Sequence, residues 1–302
     1  MTPARTTRVG DKDSWGFAAG DDIVPGRVVH KLLGGGNAYE AYLVFDEDLY
    51  TAVVVKILRP GQVESRSALR GIAREAEMLR RLNHPVIVRG FDATLDGPRP
   101  HLVLEHLEGP RLSRLLRKHG PLPPEQLLPL TLELSSALHY LARRGVVHLD
   151  VKPSNIIMGA PPRLIDLSIA RDLEAARALE HVVGTDSYLS PEQADPRAEP
   201  PGSPADVFGL GATLFECCAG FTPWSSKDLV GEGGARTYPQ LHKPPRDLPR
   251  QVPPVIGELV LACLARRPED RPTAAEVAEW VEPLIARLPK PVLGGFRPAK
   301  RL

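Results

Sequence analysis

The residues from Arg27 to Leu33 and from Ala38 to Phe45 are strand-length runs rich in Val, Leu, Tyr and Phe, and Gly34-Gly35-Gly36-Asn37 separates them. Two such runs on either side of a glycine cluster predict a hairpin of two strands with a glycine-rich turn. After the polar turn Asp46-Glu47-Asp48, the β-branched stretch Thr51 to Leu58 predicts a third strand carrying a single lysine, Lys56. From Val63 to Leu82 the apolar spacing becomes helical. Strand-length runs return at Val86 to Phe91 and His101 to Leu104, divided by Asp96-Gly97-Pro98. From Leu112 onward the spacing is helical again: LSRLLRKHG closes at Gly120, Pro124 to Arg144 closes at Gly145, and VFGLGATLFECCAG follows Asp206. These patterns predict an α+β chain, with a five-stranded antiparallel sheet and one helix over 23–106 and a mainly α-helical unit over 107–288. Residues 1–22 are polar and aperiodic and are expected to be disordered; 289–302, with Lys290, Arg297, Lys300 and Arg301 among prolines and glycines, reads as a flexible basic tail.

Composition narrows the function. With 302 residues and 42% hydrophobic content the chain can bury one large core or two coupled ones. A formal charge of +1 gives no general pull toward nucleic acid or anionic lipid, so any affinity for phosphate must be local. Cys217, Cys218 and Cys263 have neither metal-ligand spacing nor the makings of a disulfide framework, and read as reduced core thiols of a cytoplasmic protein. The N-terminus lacks an apolar signal region, and the longest apolar run is too short to span a bilayer.

The chemistry concentrates in His148-Leu149-Asp150-Val151-Lys152-Pro153-Ser154-Asn155 and in Asp166-Leu167-Ser168. Asp150 can accept a hydroxyl proton, Lys152 can neutralise a phosphate in transfer, and Asn155 and Asp166 offer oxygens to a hard divalent cation. Taken alone, these Asp and Asn residues could equally cap turns at strand ends. Likewise Lys56 alone could be an edge-strand gatekeeper, and the three glycines an ordinary hairpin tip.

Read together, the segments resemble the protein kinase superfamily, and in particular bacterial serine/threonine protein kinases. The octet matches the catalytic loop H-R-D-x-x-x-x-N, and Asp166 the metal-binding D-F-G. Gly34 and Gly36 match the first two glycines of the G-x-G-x-x-G loop, whose third position is Tyr39 here, and Lys56 matches the lysine of V-A-I-K. Gly184-Thr185-Asp186-Ser187-Tyr188-Leu189-Ser190-Pro191-Glu192 resembles the end of an activation segment. The resemblance covers about residues 23–288 and implies a two-lobed fold binding ATP and Mg²⁺, with Mn²⁺ as a substitute, that phosphorylates Ser or Thr of a protein substrate. It implies Leu33, Gly34, Gly35 and Gly36 over the nucleotide, and Lys56 on the α- and β-phosphates paired with Glu75; Glu77 is the competing partner. Leu104 becomes the gatekeeper, backbone groups of Glu105 and Leu107 the adenine contacts, Asn155 and Asp166 the metal ligands. Thr185 is expected to bond Asp150 and Lys152, Glu192 to pair with Arg271, and Asp206 to tie the catalytic-loop backbone.

Two departures carry expectations of their own. Leu149 stands where many kinases have the arginine that binds a phosphate on the activation segment, and 169–184 contains no Ser, Thr or Tyr. Activity independent of activation-loop phosphorylation is therefore expected. Ser168 replaces the flexible glycine after the metal-binding Asp, which keeps a nucleotide-binding pseudokinase scaffold as the alternative reading.

Overall fold

The computed structural model describes residues 13–225, 228–229, 231 and 237–289. One antiparallel sheet takes its strands in the spatial order β1 (Asp22–Val24), β2 (Arg27–Gly35), β3 (Tyr39–Asp46), β4 (Thr51–Leu58), β6 (His101–Glu105) and β5 (Gly90–Thr94). Period two decides what β4 does. Val53, Val55 and Ile57 are fully buried on one face, against Tyr42, Val44 and Val103. The intervening Val54 and Lys56 therefore face the opposite side, which lines a cleft. Lys56 lies opposite Ala41 of β3 and Leu102 of β6, so its strand is central in the sheet rather than an edge.

Helix α1 (Arg66–Arg81) opens at Ser65, whose side chain accepts from the Ala68 amide. Its buried stripe is Ala68, Ile72, Glu75, Met78 and Leu79. Helical spacing thus carries a carboxylate into an otherwise apolar face, while Glu77, two residues on, points elsewhere and pairs with Arg80.

The second lobe begins with α2 (Leu112–His119) and α3 (Pro124–Arg143), followed by the two-residue strands β7 (Val146–Val147), β8 (Ile156–Ile157), β9 (Arg163–Leu164) and β10 (Arg171–Asp172). It continues through α4 (Leu173–Arg177), α5 (Pro191–Ala194), α6 (Ser203–Ala219), α7 (Pro254–Cys263) and α8 (Ala274–Ile285). Helix α6 is buried along nearly its whole length, in one core with α3, α7 and α8. At Gly211 a Cβ would come within 2.7 Å of the Cys263 Cβ, so glycine sets how closely α6 and α7 approach. Cys217, Cys218 and Cys263 are buried and unpaired. No helix among the described residues is long and apolar enough to cross a membrane.

Three expectations need correction. The sheet has six strands, because Asp22–Val24 adds a short edge strand to β2. The folded part starts before Ile23: Trp15 and Phe17 pack against the sheet, and the Trp15 indole N–H donates to the Leu58 carbonyl at 2.7 Å. Two aromatic anchors are enough to dock a segment whose remaining residues are small or polar. Residues 1–12, the rest of the stretch expected to be disordered, lie outside the described residues, as does the basic tail from residue 290. The strand expected at Val86 to Phe91 falls at Gly90–Thr94. Val86, Ile87 and Val88 are instead buried where Ile87 bridges Leu164, and their apolar character reflects that burial.

Candidate active site

Strands β2, β3, β4 and β6 roof a cleft of about 940 Å³ whose floor includes Lys152, Ser154, Asn155 and Asp166. Leu33, Gly34, Gly35, Gly36, Lys56, Glu75, Leu104, Glu105, Leu107, Lys152, Asn155 and Asp166 all line it. Two of the glycines are needed for backbone reasons. Gly34 has φ +143°, and a Cβ on Gly35 would meet the Tyr39 carbonyl at 2.4 Å.

Lys56 joins the lobes. Its ammonium lies 2.8 and 2.7 Å from the two Glu75 oxygens and 2.9 Å from Asp166 Oδ1. Burial alone would lower the Lys56 pKa, but the two carboxylates outweigh it and the net shift is upward. Burial raises Glu75, opposed by the Lys56 charge, and the balance stays upward. Asp166 also feels burial, yet the same ammonium holds its carboxyl well below the usual carboxylate range. Asp166 is consequently a firm anion, with its side chain 37% exposed to the cleft.

Beside it, Lys152 Nζ donates to Asp150 Oδ2 at 2.6 Å and to Thr185 Oγ1 at 2.5 Å, and the Thr185 hydroxyl donates to Asp150 Oδ1 at 2.7 Å. Asn155 Nδ2 donates to the Asp150 carbonyl at 3.0 Å and to Oδ2 at 2.9 Å. Three side chains, two from one turn of this loop and Thr185 from a distant segment, therefore orient one carboxylate. Beneath them the buried Asp206 accepts from the His148 and Leu149 amides, both at 2.8 Å. Burial pushes Asp206 up to about 7, against the pull of those two amides. Leu149 has φ +66°, a conformation that leucine seldom holds without such support, and Asp166 has φ +69°. Ser168 is outside the left-handed region, so its Cβ imposes no backbone strain at the turn that follows Asp166.

Asn155 and Asp166 can supply oxygens to a cation. Among the described residues no group of three His, Cys, Asp or Glu is placed to hold an ion without help. Two donors beside a cleft sized for a nucleotide suit Mg²⁺, which takes one or two protein ligands and completes its octahedron with phosphate oxygens and water.

The activation-segment end is tied down independently. Arg271 pairs with Glu192 through two bonds of 2.7 and 2.8 Å, with both side chains at most 1% exposed. Ser190 and Gln193 form a capping box on α5, and Gln193 Nε2 also donates to the Leu149 and Val183 carbonyls at 2.8 and 3.0 Å. The buried Leu149 side chain packs with Ala176, Ala205, Ile169, Leu173 and Leu179.

Every residue singled out from the sequence for catalysis, nucleotide or metal lies at this cleft or in its supporting layer, and Glu75 rather than Glu77 reaches Lys56. The Glu105 amide is taken by the Arg89 carbonyl at 3.0 Å and its carboxylate by Arg163 at 2.8 Å. Sequence reasoning missed Gln193 and Arg59. Arg59 donates to the Gly36 carbonyl, to Glu40 and to the Asp13 carbonyl. Neither residue sits in a motif, and only a folded backbone brings their partners together.

A family model described as "Protein kinase domain" matches residues 27–281. The chain is 33% identical over 259 residues to the serine/threonine-protein kinase PknB of Mycobacterium leprae, covering 82% of this chain and 41% of that protein. It is 34% identical over 236 residues to the serine/threonine-protein kinase PkaA of Streptomyces coelicolor, 75% of this chain and 42% of that one. To the probable serine/threonine-protein kinase PkwA of Thermomonospora curvata it is 35% identical over 260 residues, 84% of this chain and 33% of that one. The chain thus matches well under half the length of these curated relatives.

Proposed function

The chain belongs to the protein kinase domain family, and from that premise we propose that it transfers the γ-phosphoryl of ATP to serine or threonine hydroxyls of a protein substrate. The observation that carries this reading is that Lys56 holds Glu75 and Asp166 together while Asp150, Lys152 and Thr185 form one bonded group beside them. Phosphoryl transfer asks a protein chiefly for positioning and for charge placed where negative charge develops. Asp150, held by three donors, orients the acceptor hydroxyl and takes its proton. Lys152 offsets charge on the γ-phosphate, and Thr185 fixes both groups. Lys56 steadies the α- and β-phosphates. Asn155 and Asp166 would hold Mg²⁺, which when bound neutralises phosphate charge. Leu33 and the three glycines cover the nucleotide, and Leu104, Glu105 and Leu107 border the base. ATP as donor and three unpaired thiols support a cytoplasmic location.

Incubation with ATP, Mg²⁺ and a generic acceptor protein tests the reaction. Wild type should incorporate phosphate on Ser or Thr, and Asp150→Ala should lower incorporation by about 10²–10⁴-fold. If wild type incorporates none while ATP still raises its Tm, the pseudokinase scaffold replaces the enzyme. The absence of strain at Ser168 supports the active form.

Control by activation-loop phosphorylation is not expected. Leu149 cannot bind a phosphate, and its burial with Ala176, Leu173 and Leu179 gives 169–184 an apolar anchor in place of an arginine–phosphate pair. Mass spectrometry of the active protein should find no phosphate whose removal costs activity. A phosphorylated Ser187 or Ser190 whose alanine variant is folded but inactive is the contrary result.

A further inference from the structure

Tyr39 stands at the third position of the glycine loop, where the resemblance has glycine, and nothing above gives it a task. It opens β3, lines the cleft, and turns its ring under Lys56, whose Nζ lies 4.7 Å from the ring centroid. A cation at that distance over an aromatic face is attracted by the ring quadrupole. The far end of the same ring reaches α1, because a Cβ on Gly71 would lie 2.9 Å from the Tyr39 hydroxyl. Gly71 has no side chain to fill that space. Glycine in a helix interior costs about 0.5–1 kcal/mol relative to alanine, so its presence suits a neighbour that needs the room.

We propose that Tyr39 is a positioning residue for Lys56: its ring holds the ammonium from below, and the space left by Gly71 on α1 lets the ring lie in that position. Glu75 and Asp166 attract Lys56 along directions set by α1 and by the metal-binding turn, and the ring limits its remaining freedom. Phenylalanine keeps this attraction, whereas leucine keeps the bulk without the π face. This reading rests on the proposed kinase function and specifies how the nucleotide is held within it.

The experiment compares Tyr39→Leu, Tyr39→Phe, Gly71→Ala and the Tyr39→Phe/Gly71→Ala pair with wild type. ATP affinity is measured by calorimetry without acceptor, and KM for ATP and kcat with one. Tyr39→Leu should weaken ATP binding and raise KM for ATP by about five-fold, leaving KM for the acceptor protein unchanged. Gly71→Ala should do the same, because the new methyl tips the ring off Lys56. Its Tm should not rise as an unobstructed glycine-to-alanine change in a helix would make it. Tyr39→Phe alone should bind ATP like wild type, and added to Gly71→Ala it should restore the affinity by removing the obstructing hydroxyl. Unchanged ATP affinity in Tyr39→Leu, or a Gly71→Ala defect that Tyr39→Phe leaves in place, overturns the proposal. Wild type that binds ATP but transfers nothing sinks the kinase reading and leaves the affinity comparison standing. Wild type that binds no ATP overturns both.

Discussion

Replacing Lys56 by methionine is expected to lower kcat/KM for phosphoryl transfer by about 10²–10³-fold or more, the cost of removing one preorganised charge from a site of this kind. The same change leaves Glu75 buried and facing Asp166 with no cation between them. Breaking one side of a buried ion pair costs about 3–5 kcal/mol. Relief comes by protonation: without the ammonium, the burial that already raises Glu75 is opposed by less. A carboxyl whose folded pKa lies above its unfolded value of 4.5 leaves the fold unpenalised below that value. Stability then falls as pH rises through the higher, folded pKa. The gap in unfolding free energy between wild type and Lys56→Met should therefore be small near pH 4 and widen toward pH 7. Denaturant titrations across that range measure it. A gap constant with pH would mean that Glu75 does not depend on Lys56 for its charge.

The second large effect concerns Arg271. Besides both Glu192 oxygens, its guanidinium donates to the Ala265, Pro204 and Arg266 carbonyls at 2.8, 2.9 and 3.1 Å, and it lies 4.9 Å from the Phe208 ring centroid. Five bonds from one planar group are beyond lysine, so Arg271→Lys should fail nearly as Arg271→Ala does. Arg271→Ala strands a buried Glu192 and should destabilise by about 3–5 kcal/mol, a fall in Tm on the order of 10 °C. Activity should fall with it, because Glu192 belongs to α5, which also holds Ser190 and the Gln193 amide bonded to the catalytic loop. A Glu192→Gln/Arg271→Met pair, which leaves no unpaired charge, should lose less than the two single changes summed. Additive losses would show that the pair does not act as a unit.

What the sequence disclosed follows a physical division. The groups proposed for the chemistry sit in short segments where phosphoryl transfer would need particular side chains at fixed spacing, so Asp150, Lys152, Asn155 and Asp166 stand out in the sequence. Between Glu75 and Glu77 the sequence offers only the distance to His84-Pro85, which resembles that in bacterial serine/threonine kinases; the folded helix, turning 100° per residue, puts Glu75 in the stripe of Ile72 and Leu79. Choices among tertiary partners were not legible. Val86, Ile87 and Val88 look like a sheet strand, yet their neighbour is Leu164 of the other lobe. Tyr39 gave no sign of lying under Lys56, since that depends on the register in which β3 pairs with β4. Trp15 and Phe17 were hidden among polar residues, whose average says nothing of two anchors.

Residues 13–20 matter beyond their packing. Asp13 accepts from the Gly61 amide and, through its carbonyl, from the same Arg59 guanidinium that grips the Gly36 carbonyl. A disturbance at this leading strap is thus one side chain away from the lid over the nucleotide. Natural variation there would register as altered ATP requirement, and a survey of variants confined to the recognised motifs would attribute it to the wrong place.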